Sequence, residues 1–301
     1  MTKHATIVEV GPRDGLQNER AAVSTADKIE FVNRLSEAHL PVIEVSAFVS
    51  PKWVPQMADA EQVFAGIRRS PDTRYTALVP NVEGLDRALA ARVAEVAVFA
   101  AATETFSRKN INQSIGESLA TYQEVCRRAH DSGLRVRAYL STAFGCPFEG
   151  AVPPPQVADV AARLFALGVY EVAISDTIGI AHPGQVPLVL EAVLAHVPPE
   201  HLALHFHVTR GTALANVLTA LPFGITTFDA SAGGLGGCPY APGAAGNLAT
   251  EDLVYMLNGL GIETGVSLPK LSEASAFIAS RLDHPLPSRY AQAVRSPASP
   301  G

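Results

Sequence analysis

Two histidines stand two residues apart in Leu202-Ala-Leu-His205-Phe-His207-Val208, behind a run of apolar residues. Alternation along a strand sends both rings to one face, and two imidazoles side by side at a strand end can hold one divalent cation. The same pair can equally be core histidines hydrogen-bonded to their neighbours. Near the start, Gly11-Pro-Arg13-Asp14-Gly-Leu-Gln17-Asn18-Glu19 follows another short apolar run. A carboxylate beside a guanidinium can anchor a metal and steady a developing oxyanion, or it can form an ordinary polar turn. Glu44 interrupts the apolar Pro41-Val-Ile-Glu-Val. A buried carboxylate must be paired, and Arg13 is the natural partner, for chemistry or as a structural ion pair. Cys238 lies in Gly233-Gly-Leu-Gly-Gly-Cys-Pro-Tyr-Ala-Pro-Gly-Ala-Ala-Gly246-Asn247. So many glycines favour movement or close backbone approach to a ligand, and a thiol off any apolar periodicity points to chemistry. Asn247 reads as an N-cap opening the next helix or as part of the site. Cys146, in Phe144-Gly-Cys-Pro-Phe-Glu149-Gly, reads as a packed thiol. Arg137 shares a strand face with Tyr139, and Asp176 either caps the turn after it or orients a ligand.

The elements that must carry these residues alternate. Apolar runs at 6–10, 42–48, 75–79, 95–100, 135–143, 170–175, 202–208 and 226–230 read as strands. Helical spacing follows at 25–38, 56–68, 82–92, 115–131, from the prolines 153–155, and at 184–196, 212–222 and 247–259. Near-continuous apolar strands are expected where both faces of a parallel sheet are covered. Eight such units over about 250 residues predict a (β/α)8 TIM barrel. An extra C-terminal helix is expected near 271–282, in a single catalytic domain over 5–290 with a disordered tail over 291–301. In a barrel, chemistry gathers at the C-terminal ends of the strands. The residues singled out above fall there.

Composition narrows the function classes. The 301-residue chain has 48% hydrophobic and 17% charged residues, with no run long enough to span a bilayer. A net charge of −6 without a basic cluster gives no reason to expect nucleic acid. The three cysteines cannot form a disulfide framework, and the first strand begins too early for a targeting peptide. The cytoplasm is therefore the expected compartment.

Taken together, Val8–Glu19, Phe48–Met57, Asn110–Asn112, Phe144–Gly150, Asp176–Gly179, Gly234–Tyr240 and Ala249–Leu257 resemble the hydroxymethylglutaryl-CoA lyase family over residues 5–290. The resemblance implies a metal-dependent retro-Claisen cleavage of 3-hydroxy-3-methylglutaryl-CoA into acetyl-CoA and acetoacetate, with roles in leucine catabolism and ketone-body formation. It implies that Asp14, His205, His207 and Asn247 bind Mg²⁺ or Mn²⁺, a donor set better suited to such a metal than to structural zinc. Arg13, held by Glu44, would stabilise the enolate oxygen; Cys238 would act in proton transfer, and His205 in acid–base chemistry besides ligation. Gln17, Arg137, Asn110 and Gly237 would contact the acyl-CoA substrate, and a homo-oligomer, a dimer, is expected. Three positions depart from the family pattern: Val208 stands where Asp is usual, and Ala47 and Ala173 where serines are more common. Val208 should face away from the histidines. The alanines leave room for a longer 3-substituted 3-hydroxyglutaryl-CoA. Val208 also motivates a catalytically impaired barrel that only binds metal or acyl-CoA.

Overall fold

The computed structural model describes residues 3–237 and 246–295. Strands β1 (Thr6–Glu9), β2 (Val42–Ala47), β3 (Arg74–Leu78), β4 (Glu95–Ala101), β5 (Arg135–Ser141), β6 (Glu171–Asp176), β7 (Leu202–Phe206) and β8 (Thr227–Ala230) close into one barrel in chain order. Every neighbouring pair is parallel, and β8 returns to β1 with Thr6 opposite Thr227 and Glu9 opposite Ala230. This is the TIM barrel that the alternation predicted. The strands are short because each runs only from the floor of the barrel to its mouth.

Around them lie α1 (Thr25–Glu37), α2 (Ala60–Gly66), α3 (Val82–Ala90), α4 (Glu104–Ile111), α5 (Ile115–Asp131), α6 (Pro154–Phe165), α7 (Val186–Leu194), α8 (Ala213–Ala220) and α9 (Thr250–Gly259). Local chemistry fixes several starts. Ser24 accepts the Asp27 amide at the head of α1, Ser114 and Glu117 form a reciprocal capping box on α5, and Pro154 opens α6. None of these helices is long and apolar enough to cross a membrane among the described residues. At the floor, Glu95 receives Arg74 at 2.7 Å. Such ion pairs at the end away from the chemistry serve stability.

Three expectations change. The helix after β2 starts at Ala60, because Pro55–Met57 is taken up by a tight turn. Helix α4 is additional; its polar sequence Glu-Thr-Phe-Ser-Arg-Lys-Asn-Ile carries little apolar periodicity. The extra helix is α10 (Leu268–Ala279), and it is followed by α11 (Arg289–Arg295), so the tail expected to be disordered from 291 starts inside a helix. Asp252 explains that correction. Its carboxylate accepts the Arg289 and Tyr290 amides and the Ser288 hydroxyl, capping α11 from α9 across a long sequence separation. Residues 296–301 lie outside the described residues.

Candidate metal centre and active site

The chain leaves β1 in a single wide turn, Gly11–Gly15, in which the amides of Arg13, Asp14 and Gly15 all point at the Val10 carbonyl. That curl swings Arg13 and Asp14 over the barrel mouth. Arg13 is buried and donates from Nε to Glu44 Oε2 at 2.5 Å and from Nη1 to Asp14 Oδ1 at 2.8 Å. Glu44 reaches it from β2 just before a bulge between Glu44 and Ser46. Bulges near active sites re-aim side chains, and this one sits directly beside Glu44. The Arg13 guanidinium also lies 5.3 Å from the centre of the Tyr139 ring, and the Arg137 guanidinium lies 4.9 Å from the same ring centre.

His205 is the next-to-last residue of β7 and His207 follows the strand, with Nε2 atoms 3.1 Å apart. Ligand atoms of Asp14, His205 and His207 all fall within 4.8 Å of one another. Asn247 pairs with His207 in an isolated bridge and donates Nδ2 to Asp14 Oδ2 at 2.9 Å. It does not cap α9, which begins at Thr250 with Ala249 before it. The amide is therefore free for another task. Its Oδ1, like His207 Nδ1, is buried without a hydrogen-bond partner among the described residues. A buried acceptor such as that amide oxygen rarely goes unsatisfied. Adjacent corners of an octahedron with bonds of about 2.1 Å stand about 3 Å apart, close to the separation of the two ring nitrogens. A carboxylate, an amide oxygen and two imidazoles suit Mg²⁺ or Mn²⁺. The residues fit the metal expected of them.

The electrostatics agree. Burial works against ionising Asp14, but Arg13, His205 and His207 outweigh it and bring its carboxyl down to about 2. Burial and the neighbouring His205 push His207 down to about 4, keeping it a neutral donor. For His205 burial is outweighed by the hydrogen bond and charge of Asp229, and its pKa rises. Burial opposes the charge of Arg13 too, yet Glu44 and Asp14 hold it protonated. Burial raises Glu44 even against the attraction of Arg13, and Glu44 Oε1 has no partner among the described residues.

The remaining expected site residues scatter. Gln17 donates to Asp14 Oδ1 at 3.0 Å, beside the metal cluster. Gly237 accepts Asn18 Nδ2 through its carbonyl at 3.0 Å, at the stem of the glycine segment. Asn110 is exposed, near the end of α4. Arg137 is corrected: it is wholly buried, with Nε on Glu171 at 2.6 Å and both Nη atoms on Asp229, so no face is open to a substrate. Cys238 lies outside the described residues. Cys146 is buried and accepts the Thr103 hydroxyl, as a packed thiol should. Asp176 caps its turn, accepting the Ile180 and Ala181 amides. Val208 packs against the apolar core and donates its amide to the Gly246 carbonyl.

Two glutamates that the sequence did not single out brace this end of the barrel. Glu9 accepts the Gly11 and Ala232 amides and the Thr250 hydroxyl, tying the Arg13 turn to the glycine segment. Glu251 accepts the Gly233 amide and the Ser275 hydroxyl, tying the same segment to α10. The stems then meet: a Cβ on Gly246 would stand 2.0 Å from the Gly236 carbonyl oxygen, and Gly236 itself has φ +112°. Only glycine fits at either place.

Residues 4–278 match the HMGL-like family. The chain belongs to that family. Among HMGL-like relatives, the cytoplasmic 3-hydroxy-3-methylglutaryl-CoA lyase of Rattus norvegicus is 52% identical over 97% of this chain and 85% of its own length. The crystal structure of hydroxymethylglutaryl-CoA lyase from Pseudomonas aeruginosa superposes with a TM-score of 0.96 at 52% identity, covering 98% of each chain. An HMG-CoA lyase from Acinetobacter baumannii, solved with coenzyme A and 3-methylmalate, gives a TM-score of 0.93 at 39% identity over 99% of this chain and 98% of that one.

Proposed function

We propose that this chain is a carbon–carbon lyase that cleaves 3-hydroxy-3-methylglutaryl-CoA into acetyl-CoA and acetoacetate with the help of Mg²⁺ or Mn²⁺. The observation that carries this reading is the convergence of Asp14, His205 and His207 within 4.8 Å, with Arg13 hydrogen-bonded to the same aspartate. The reaction breaks a bond between a tertiary carbinol carbon and the carbon next to a thioester. It needs a base for the hydroxyl, a positive group for the enolate oxygen, and a proton for the enolate carbon.

Asp14, His205, His207 and Asn247 would hold the divalent ion, which when bound lowers the pKa of a hydroxyl beside it. The acid–base role for the hydroxyl proton is assigned to His205, whose Nδ1 is tied to Asp229, and Nε2 can take that proton only while it is off the ion. As the carbon–carbon bond breaks, its electron pair passes onto the thioester as an enolate. Arg13 faces that oxygen, and Glu44 keeps the guanidinium from swinging away. One such electrostatic donor is typically worth a factor of about 10²–10³ in rate. Cys238 delivers a proton to the enolate carbon, yielding acetyl-CoA. Gln17, Asn110 and Gly237 are assigned to the acyl-CoA, Gln17 through its place on Asp14. Acetoacetate is a ketone body, which supports a role in ketone-body formation, and a role in leucine catabolism is proposed with it. The cytoplasmic name of the rat relative and the free thiols of Cys126 and Cys146 support a cytoplasmic location. Exposed Tyr255, Leu260 and Val294 on the α9–α11 side support a homodimer, testable by light scattering.

A longer 3-alkyl substituent is the second reading. Ala47 and Ala173 are both buried, and Ala173 lies opposite Tyr139 in the barrel register. A panel of 3-hydroxy-3-alkylglutaryl-CoA thioesters, assayed for Mg²⁺-dependent product with Cys238→Ala as control, separates the two. Turnover of the methyl compound, lost in the control, is expected. No turnover of any thioester, with metal still bound, would leave the impaired barrel standing instead.

A further inference from the structure

Strand β8 supplies none of the ligands assigned above, yet its Asp229 sits opposite His205 in the register and touches it. Oδ2 of Asp229 lies 3.2 Å from His205 Nδ1. Arg137, from β5 on another side of the barrel, reaches across and grips the same carboxylate with Nη2 on Oδ1 at 2.7 Å and Nη1 on Oδ2 at 3.2 Å. Its Nε is taken by Glu171 from β6 at 2.6 Å. Arg137 and Asp229 have no exposed side-chain surface at all. Such a forked pair fixes orientation as well as charge.

An imidazole offers a lone pair on one nitrogen only when its proton sits on the other. A carboxylate accepts and never donates when ionised, so Asp229 selects the His205 form with the proton on Nδ1. That form leaves the Nε2 lone pair facing His207 and Asp14. The ring is then fixed twice, by the bond to Asp229 and by the edge of Tyr139, whose ring stands at 85° to it. Metal-bound histidines are commonly oriented by a carboxylate in this way, at a typical worth of about 10–100-fold in affinity.

We propose that Asp229 is a positioning residue that sets the His205 tautomer, and that Arg137 acts by holding Asp229 rather than by touching substrate. This rests on the metal reading of His205, so the test uses two independent readouts. Imidazole nitrogen NMR of the full chain, taken without metal at a pH where the ring is neutral, reports which nitrogen carries the proton. Calorimetric titration with Mn²⁺ alone reports affinity. The wild-type ring should carry its proton on Nδ1. In Asp229→Asn the other form should become populated, and the Mn²⁺ dissociation constant should rise about 10–100-fold. Arg137→Lys keeps the charge but loses the fork, and should shift both readouts in the same direction by less. A wild-type His205 protonated on Nε2 overturns the proposal even if the variants do not fold. So does an Asp229→Asn protein with both readouts unchanged. If the wild type takes up no Mn²⁺ while the tautomer behaves as stated, the metal reading fails and the positioning of the ring survives.

Discussion

Replacing Arg13 with methionine tests structure and chemistry at once. Glu44 is wholly buried, with Arg13 on one oxygen and no partner on the other among the described residues. Burial already raises its pKa, with Arg13 working in the opposite direction. Methionine fills similar volume but leaves the carboxylate with burial alone. Stranding one partner of a buried pair costs about 3–5 kcal/mol. At about two to four degrees per kcal/mol for a large domain, Tm should fall by roughly 6–20 °C. The loss should depend on pH in a definite sense. A carboxyl whose folded pKa stands above its unfolded value gives a folded state that binds the extra proton, so stability falls as pH rises through that window. Arg13→Met should therefore be weakest at alkaline pH and recover on acidification. Adding Glu44→Gln removes the charge, leaving an unpaired amide at about 1–3 kcal/mol. The double variant should regain about 2 kcal/mol and lose the pH dependence, while activity stays about 10²–10³-fold down. Calorimetric melts across pH, paired with product assays, measure both. A single variant as stable as the parent at alkaline pH would refute the pairing. Recovery of activity in the double variant would refute the role given to Arg13.

Removing divalent metal with a chelator should abolish turnover and lower Tm, and Mg²⁺ or Mn²⁺ at a hundredfold excess over its dissociation constant should restore about 2.7 kcal/mol; Asp14→Asn should lose the restoration. Burial pushes Glu9 up to about 7, so folding takes up a proton between its ordinary 4.5 and that value, and stability falls as pH rises through this window. Glu9→Gln, with its carbonyl on the Gly11 and Ala232 amides and its NH₂ toward Thr250, should flatten that slope in pH-resolved melts without lowering Tm above it. Ala173→Ser should narrow the pocket and cut turnover of the longer 3-alkyl thioesters more than that of the methyl compound, read as kcat/KM ratios.

The strands were legible because many of them are near-continuous apolar runs, as a covered parallel sheet demands, and the same pattern exposed Glu44 as an interruption. Asp229 interrupts Thr-Phe-Asp-Ala in the same way and could have been found by the same rule. It passed unnoticed because a four-residue strand gives little pattern to interrupt. Glu9 and Glu171 hide at strand ends, where a polar residue is ordinary. Arg137 was assigned to substrate because sequence shows which residue is charged and not which partners reach it from across the barrel. Helix α11 was missed because its cap, Asp252, belongs to another helix. Asn247 read as a helix start because an Asn before an apolar run usually is one, whereas here the chain makes a bridge to His207 first.

That bridge has a mechanical consequence. Asn247 holds the Leu235 carbonyl and Asp14 with one amide nitrogen, and Gly246 beside it leans on the Gly236 backbone. The post that anchors the described stems of the glycine segment is thus also one of the residues proposed above to hold the cation. Force on one is felt by the other, and reciprocity follows: whatever factor a bound cation contributes to holding the segment's stems, the held stems return to the cation. Loss of the cation would then loosen the contact between Asn247 and the Leu235 carbonyl, and a cut at that contact would weaken the hold on the cation.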